Sequence, residues 1–524
     1  MSRCCSLLWL LVGLGSGAVR PSAAVVPATT LAGLGQQLDD RLVATRAPGA
    51  TWSVSVVALG SGKTLFSTNA SRLLTPASDT KLFTAALALD RLGAGHRLQT
   101  SLRARGSPGA DGVLSGDLRI VGGGDPSFGT RSEKGRPDQG LGPVVDALAA
   151  AGVKQVEGGL VCDESAFRGA PFGSGWNWDD LDAGYGAAVS ALSYDDNFLH
   201  VVVTPGKSAG VPPVVRVEPA FSARADLPWV TPVVDLRIGA VTATPGAVNR
   251  LEIRRLPGSR TIDIDGQVPS DAGRSVTEVS VPSPADYFAA ALRTALARRG
   301  IVVKGPTQLV GWRDRVARSA EESAWRELAS VPSPPVGVLV RDTLKPSQNL
   351  HAQLLLLAVG AASERLATNG VPDRIRSGTT EEAGLRALEA FLRSIGIEKT
   401  AATFEEGSGL SRKNLVTTDA VVRLLVAMDR HRWAKEWRDA LPIGGVDGTL
   451  QDRFREPPTK GNVRAKTGSL RHVGALAGYV TTAAGERLAF SILVNGFVTE
   501  GAGSPRGEID ALVEILAAYA GTTG

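Results

Sequence analysis

Cysteine is scarce in this chain, three in 524 residues. Two of them, Cys4 and Cys5, precede an apolar N-terminal run, the wrong place for a lipid-attachment cysteine. Only Cys162 stands beyond that run, which excludes an intramolecular disulfide framework. Histidine is also sparse: His96, His200, His351, His431 and His472 show no metal-ligand spacing, and one cysteine adds none. No metal and no cofactor is expected. Neither sign of charge dominates, with 57 Lys and Arg against 52 Asp and Glu and no basic block, so nucleic acid is not implied as a partner. Past the N-terminus no segment is long and apolar enough for a membrane helix.

What the chain has is length, glycine and a structured N-terminus. At 524 residues it exceeds a typical single domain, and 61 glycines with 30 prolines favour a turn-rich, partly β architecture. Arg3 precedes Leu7-Leu8-Trp9-Leu10-Leu11-Val12-Gly13-Leu14, and small residues follow up to Ser22-Ala23-Ala24. This pattern reads as a secretory signal over residues 1–24, too short to span a bilayer, with cleavage expected after Ala24 and Ala18 the second choice. The mature protein is therefore expected to be exported to the periplasm or cell envelope and soluble there.

Both ends of the remaining chain read alike. Leu31, Leu34, Leu38 and Leu42 recur at helical spacing, and Trp52 to Leu59 reads as a strand. A Gly60-Ser61-Gly62-Lys63 turn and a second strand from Thr64 follow. Near the other end, Val473–Val480 and Leu488–Val494 form a hairpin pattern around Ala483-Ala484-Gly485-Glu486, and Ile509, Leu512, Val513 and Leu516 mark a last helix. The two ends are expected to share one sheet. Between about residues 99 and 317, short β-like runs alternate with Gly/Pro turns. This is read as a β-rich insertion of two subdomains, leaving 25–98 and 318–524 as one discontinuous unit.

Three short segments carry chemistry. Leu74-Thr75-Pro76-Ala77-Ser78-Asp79-Thr80-Lys81 leads into an apolar helix, with Thr75 expected as N-cap and Pro76 at the first helical position. Ser78 and Lys81 then share a helical face, where a neutral amine can act as base for the hydroxyl and the helix N-terminus favours the developing alkoxide. Ser347-Gln348-Asn349 opens another apolar helix. It offers either an N-cap or a second hydroxyl that relays protons beside an amide for a substrate backbone. Lys466-Thr467-Gly468-Ser469 precedes the late hairpin. There a lysine charge would meet a substrate carboxylate, and Gly468 removes a Cβ that would block a close approach. Each motif alone is commonplace. Trp176-Asn177-Trp178-Asp179-Asp180 with Tyr185 is the most polar-aromatic part of the insertion. Gly407-Ser408-Gly409 and Asp447-Gly448-Thr449 are read as loops that shape a site, and Gly122-Gly123-Gly124 as a turn.

In their order, Ser78-x-x-Lys81, Ser347-x-Asn349 and Lys466-Thr467-Gly468 resemble the triplet of the penicillin-recognising serine acyl-transferases. The long interval between Lys81 and Ser347 exceeds what compact β-lactamases need. The segments Gly122-Gly123-Gly124-Asp125-Pro126, Gly407-Ser408-Gly409-Leu410-Ser411-Arg412 and Asp447-Gly448-Thr449-Leu450 are similar to signatures of class C low-molecular-mass penicillin-binding proteins, the DacB-type D-alanyl-D-alanine carboxypeptidases/endopeptidases. Glu406 departs from the family, which usually has Asp there, with no catalytic consequence expected. The resemblance implies an α/β (α+β) fold: a transpeptidase-like domain with a five-stranded antiparallel sheet flanked by helices, plus β-rich inserted domains. It implies Ser78, Lys81, Ser347, Asn349 and Lys466 as catalytic residues. Thr467, Gly468 and Ser469 would hold substrate, with the backbone N–H groups of Ser78 and Ser469 as oxyanion hole. Asp180 and Tyr185 would line a pocket for the diamino-acid side chain. The implied partners are a peptidoglycan stem peptide and β-lactams as covalent inhibitors. A β-lactamase or D-amino-acid esterase on the same scaffold, or an inactive binder of cell-wall peptides, are the competing expectations.

Overall fold

The computed structural model describes residues 26–45, 49–129, 140–218, 233–317, 319–367, 378–498 and 505–523. The segment read as a secretory signal lies outside them. Two strands from the start of the chain, β1 (Thr51–Ala58) and β2 (Thr64–Thr68), join three from its end: β3 (Arg464–Leu470), β4 (Val473–Thr481) and β5 (Arg487–Asn495). They form one antiparallel sheet in the order β2-β1-β5-β4-β3. The expected five-stranded sheet, shared by both chain ends, is present.

Helices cover both faces, which is why β4 and β5 are apolar at nearly every position rather than at alternate ones. On one face, Leu476, Val480, Phe490 and Ile492 pack against Leu34 and Leu38 of the Leu31–Val43 helix and Leu512, Val513 and Leu516 of the Arg506–Ala518 helix. On the other, Ala475, Ala477, Tyr479 and Leu493 meet a helical lobe built from Thr80–Arg91, Val336–Leu344, Asn349–Ala367, Thr380–Ser394 and Thr418–Asp429. Leucines and alanines interleave there, with Phe83 and Trp437 fully buried. Burial on this scale dominates the stability of the unit, at roughly 1.5–3 kcal/mol for each large side chain removed from water.

The insertion has cores of its own. Gln99–Ala104, Leu118–Val121, Leu160–Asp163, Thr307–Val310 and Arg326–Pro332 make a mixed five-stranded sheet. It shares a core with the Gly142–Ala150 and Pro284–Arg298 helices. A smaller cluster of Val201, Val203, Ile262, Ile264 and Val279 holds together strands Phe198–Thr204, Ser275–Ser280 and Thr261–Asp265. The return to the first unit corrects the expected boundary at 318. Arg326–Pro332 is still paired with Gln99–Ala104, so the chain leaves the inserted sheet only after Pro332. At the seam, Val189 of the insertion packs on Leu350, Leu354 and Leu357 of the Asn349–Ala367 helix.

Candidate active site

Ser78 lies in a 3-10 turn, Ala77–Asp79, that runs directly into the Thr80–Arg91 helix. Thr75 is not its N-cap. The Thr75 N–H donates to Asn495 Oδ1 at 2.9 Å and its carbonyl accepts from Asn495 Nδ2 at 3.1 Å, which pins the turn to the end of β5. Ala77 takes a positive φ of 49°, so the Ser78 turn is held in a conformation that L-residues seldom adopt. Packing forces it: Gly409 lies so near that a Cβ there would stand 2.0 Å from the Ala77 carbonyl oxygen.

Lys81 is fully buried. Its Nζ lies 2.9 Å from Ser78 Oγ, 2.6 Å from Asn349 Oδ1 and 2.6 Å from the Ser408 carbonyl oxygen. Asn349 Nδ2 in turn donates to the Tyr185 carbonyl at 2.9 Å, which fixes the amide orientation. The carbonyl and amide oxygens can only accept, whereas a hydroxyl can also donate. A neutral Lys81 therefore keeps two N–H bonds on Asn349 and Ser408 and turns its lone pair to the Ser78 hydroxyl. Burial first, and then the nearby Lys466, push Lys81 well below the ordinary lysine range, against the opposing charges of Glu406 and Asp79.

Lys466 projects from β3 and is also fully buried. It donates to Ser347 Oγ at 2.8 Å and to the Thr467 carbonyl at 2.6 Å. Burial brings its pKa down to about 8, with Asp79 pulling the other way. Ser347 has φ +65°, and the Asn349–Ala367 helix begins after it, so the hydroxyl serves Lys466 rather than a helix end. Thr467 Oγ1 donates to Thr449 Oγ1 at 2.8 Å. The Thr449 loop is anchored by Lys345, which pairs with Asp447 at 2.6 Å and accepts the Thr449 N–H on its carbonyl. A Cβ on Gly468 would fall 2.5 Å from the Pro76 carbonyl and 3.2 Å from Ser78 N. The glycine thus lets the sheet edge reach the nucleophile turn itself, a use of the missing Cβ distinct from the substrate clearance expected. Ser469 is exposed on the same strand.

Ser78, Lys81 and Asn349 thus form one hydrogen-bonded set and Ser347 with Lys466 another, meeting where β3 touches the Ser78 turn. Tyr185 and Asp180 pair with each other, the phenol donating to Asp180 Oδ1 at 2.9 Å, and reach the site through the Tyr185 carbonyl on Asn349. Asn349 therefore bridges Lys81 and the insertion, with both ends of its amide engaged. Several participants went unassigned from sequence. The Ser408 carbonyl is backbone and has no residue-type signal. Thr449 is a common hydroxyl in a loop known only to shape the site. Asp79, next to Ser78, is fully buried with neither carboxylate oxygen hydrogen-bonded among the described residues. Burial drives its pKa far up, against Lys466, Lys81 and Arg453. Among the described residues no group of His, Cys, Asp and Glu is arranged to hold a metal ion, and no helix is long and apolar enough to cross a membrane.

A serine hydroxyl in contact with a buried lysine, on a turn wedged between an antiparallel sheet edge and a helical lobe, is the arrangement expected of an active-serine hydrolase of the penicillin-recognising fold. The chain belongs to the D-Ala-D-Ala carboxypeptidase 3 (S13) family, whose model matches residues 34–519. It is 34% identical to a D-alanyl-D-alanine carboxypeptidase of Actinomadura sp. (strain R39), over 96% of this chain and 87% of that protein. It is 27% identical to the D-alanyl-D-alanine carboxypeptidase DacB of Haemophilus influenzae, over 82% of each. In structure it resembles penicillin binding protein 4 (dacB) of Haemophilus influenzae, with a TM-score of 0.73 at 24% identity, covering 91% of this chain and 97% of that one. The class C, DacB-type resemblance read from the motifs therefore holds, as does the activity class: a serine-type D-alanyl-D-alanine carboxypeptidase.

Proposed function

We propose that Ser78 is the nucleophile and Lys81 its general base in hydrolysis of the terminal peptide bond of peptidoglycan stems ending in D-Ala-D-Ala. Ser78 Oγ attacks the carbonyl carbon of the penultimate D-Ala while its proton moves to the Lys81 lone pair. The backbone N–H groups of Ser78 and Ser469 stabilise the oxyanion, where one lost donor costs roughly 3 kcal/mol. As the tetrahedral intermediate collapses, the C–N bond breaks. Ser347, its hydroxyl oriented by Lys466, passes a proton to the departing nitrogen and takes in exchange the proton held by Lys81, which leaves both Ser347 and Lys81 neutral again. Water, deprotonated by the same base, then cleaves the ester and restores Ser78. Lys466 and Thr467 bind the terminal carboxylate. Asn349 holds Lys81 and, on the substrate side, the peptide amide. Asp180 and Tyr185 border the place for the stem's diamino-acid side chain. The catalytic unit is residues 25–98 with the chain after Pro332, the protein works after export in the cell envelope, and β-lactams acylate Ser78. One curated relative's solved structure is described as complexed with a β-lactam, which supports that last step by analogy.

The observation that carries the proposal is the 2.9 Å contact between Ser78 Oγ and a buried amine whose other two contacts are obligate acceptors. Mass spectrometry after exposure to penicillin should find one adduct, on the peptide containing Ser78, and Ser78→Ala should lose both the adduct and D-Ala release. An adduct that survives in Ser78→Ala removes Ser78 from the role. Rapid penicillin turnover without a lasting adduct favours the β-lactamase reading instead.

A further inference from the structure

Glu406 occupies an unusual position for a residue expected to be silent. It is fully buried, and its carboxylate accepts five hydrogen bonds. Oε2 receives the Ser408 N–H at 2.6 Å, the Ser408 hydroxyl at 2.5 Å and the Trp176 indole N–H at 3.1 Å. Oε1 receives the Gly409 N–H at 2.6 Å and Asn414 Nδ2 at 2.7 Å. Two successive backbone amides and three side chains are thus turned inward on one carboxylate. A peptide plane whose N–H is fixed has its neighbouring carbonyl fixed as well, and the Ser408 carbonyl, in the peptide that supplies the Gly409 N–H, is the one that accepts from Lys81 at 2.6 Å. Gly409, at φ +92°, abuts the Ala77 carbonyl, so the same loop also backs the nucleophile turn.

The fifth donor comes from the insertion. Trp176 belongs to the polar-aromatic segment that stood out in the sequence, and it packs beside Val189, Leu354 and Leu357 at the seam between the two units. A continuous path therefore runs from the insertion through Trp176, Glu406 and the Ser408 peptide to the amine beside Ser78.

We propose that Glu406 is a positioning residue for Lys81: it fixes the Ser408 carbonyl against the amine, supplies a buried negative charge near it, and ties both to the insertion through Trp176. This rests on Lys81 being the base. The charged groups facing Lys81 are Lys466, Asp79 and Glu406, the first opposing its charge and the other two favouring it. Neutralising Glu406 removes a negative charge that favours the Lys81 ammonium, so Lys81 loses its proton at lower pH. Once the Ser408 peptide is free to turn, Lys81 also becomes a less well aimed base.

The test measures the second-order rate of acylation by a fluorescent penicillin across pH for the wild type, Glu406→Gln, Glu406→Asp and Trp176→Phe, with circular dichroism as the check on folding. Glu406→Gln is expected to acylate about 10- to 100-fold more slowly on its plateau, with the acid limb moved to lower pH. Glu406→Asp keeps the charge and should leave the limb where the wild type has it. Trp176→Phe should slow acylation severalfold without moving the limb. A folded Glu406→Gln with the wild-type rate and limb overturns the inference, as does a Glu406→Asp limb that moves with that of Glu406→Gln. If Glu406→Gln does not fold, Trp176→Phe and Ser408→Ala decide: both slowed supports the inference, and both at the wild-type rate overturns it. A wild type that is not acylated at all fails the underlying reading of Ser78 and Lys81, which separates the two failures.

Discussion

Two lysines in one buried site cannot both be comfortable as cations, and the protein uses the conflict. Lys81 has three contacts, and burial with the nearby Lys466 pushes it well below the ordinary lysine range, so in the proposed mechanism it is the amine that acts as base. Lys466, brought down by burial to about 8, is the amine the proposed mechanism uses to anchor the substrate carboxylate. The signs give a bell-shaped profile. Acylation should rise with pH as Lys81 loses its proton, with the acid limb well below the ordinary lysine range. It should fall above pH about 8 as Lys466 loses the charge that holds the substrate carboxylate. The alkaline fall belongs to binding, so kcat/KM should drop there more than kcat. A peptide ester ending in an uncharged amide should lack the alkaline limb. If the limb persists for that substrate, Lys466 is not the carboxylate anchor. These two lysines were legible in the sequence because a residue type at fixed spacing carries its own chemistry. Glu406 and Asp79 were not, since only the packing of the chain around them turns an ordinary acid into a buried one.

At the scale of elements, close backbone approach sets what the site tolerates. Gly468 lets β3 touch the Ser78 turn, and Gly360 lets the Asn349–Ala367 helix rest on the Thr380 carbonyl, where a Cβ would stand 2.2 Å away. Overpacking at such a place costs about 1–3 kcal/mol, but the two sites should differ in what else is lost. Gly468→Ala pushes Lys466 and the nucleophile turn apart and should slow acylation about 100-fold, the scale of a misplacement near 1 Å. Gly360→Ala should lower the thermal midpoint at least as much and acylate near the wild-type rate. Proportional losses in both variants would mean that acylation merely tracks stability. Helices and hairpins themselves were readable, because apolar spacing fixes Leu31–Val43, β4 and β5 from local sequence alone. The start of the catalytic helix was misread at Thr75, where a local capping pattern yields to the distant Asn495 amide. Ser347 was likewise open as a helix cap, and its positive φ and the bond from Lys466 set its hydroxyl away from that helix end.

The whole molecule has two sets of hydrophobic cores, joined along a seam that also carries polar contacts such as Arg168 with Glu364 and His351 with Asp196. Among the described residues, neither core of the first unit draws a side chain from 99–332, and both cores of the insertion lie within that range. The two crossings are side by side: the Ser333 N–H donates to the Leu98 carbonyl at 2.8 Å, and the Leu98 N–H to Ser333 Oγ at 3.0 Å. Composition placed the return at 318 because a polar stretch marks a surface, not a boundary, whereas a boundary is a change of hydrogen-bonding partner. Excising 99–332 and joining Leu98 to Ser333 through a short glycine link should therefore leave a unit that unfolds cooperatively. Its weak point is the stripe of Leu350, Leu354 and Leu357, stripped of Val189, Phe167 and Trp176, so Leu354→Gln and Leu357→Gln belong in the excised chain to prevent association through that patch. Penicillin should still acylate it, but more slowly, because Asn349 loses the Tyr185 carbonyl and Glu406 the Trp176 N–H. Thermal unfolding and the acylation rate read the two halves of this expectation separately. A product without cooperative unfolding would show that the insertion is part of the catalytic unit's fold; an undiminished rate would show that the contacts across the seam do not reach Lys81.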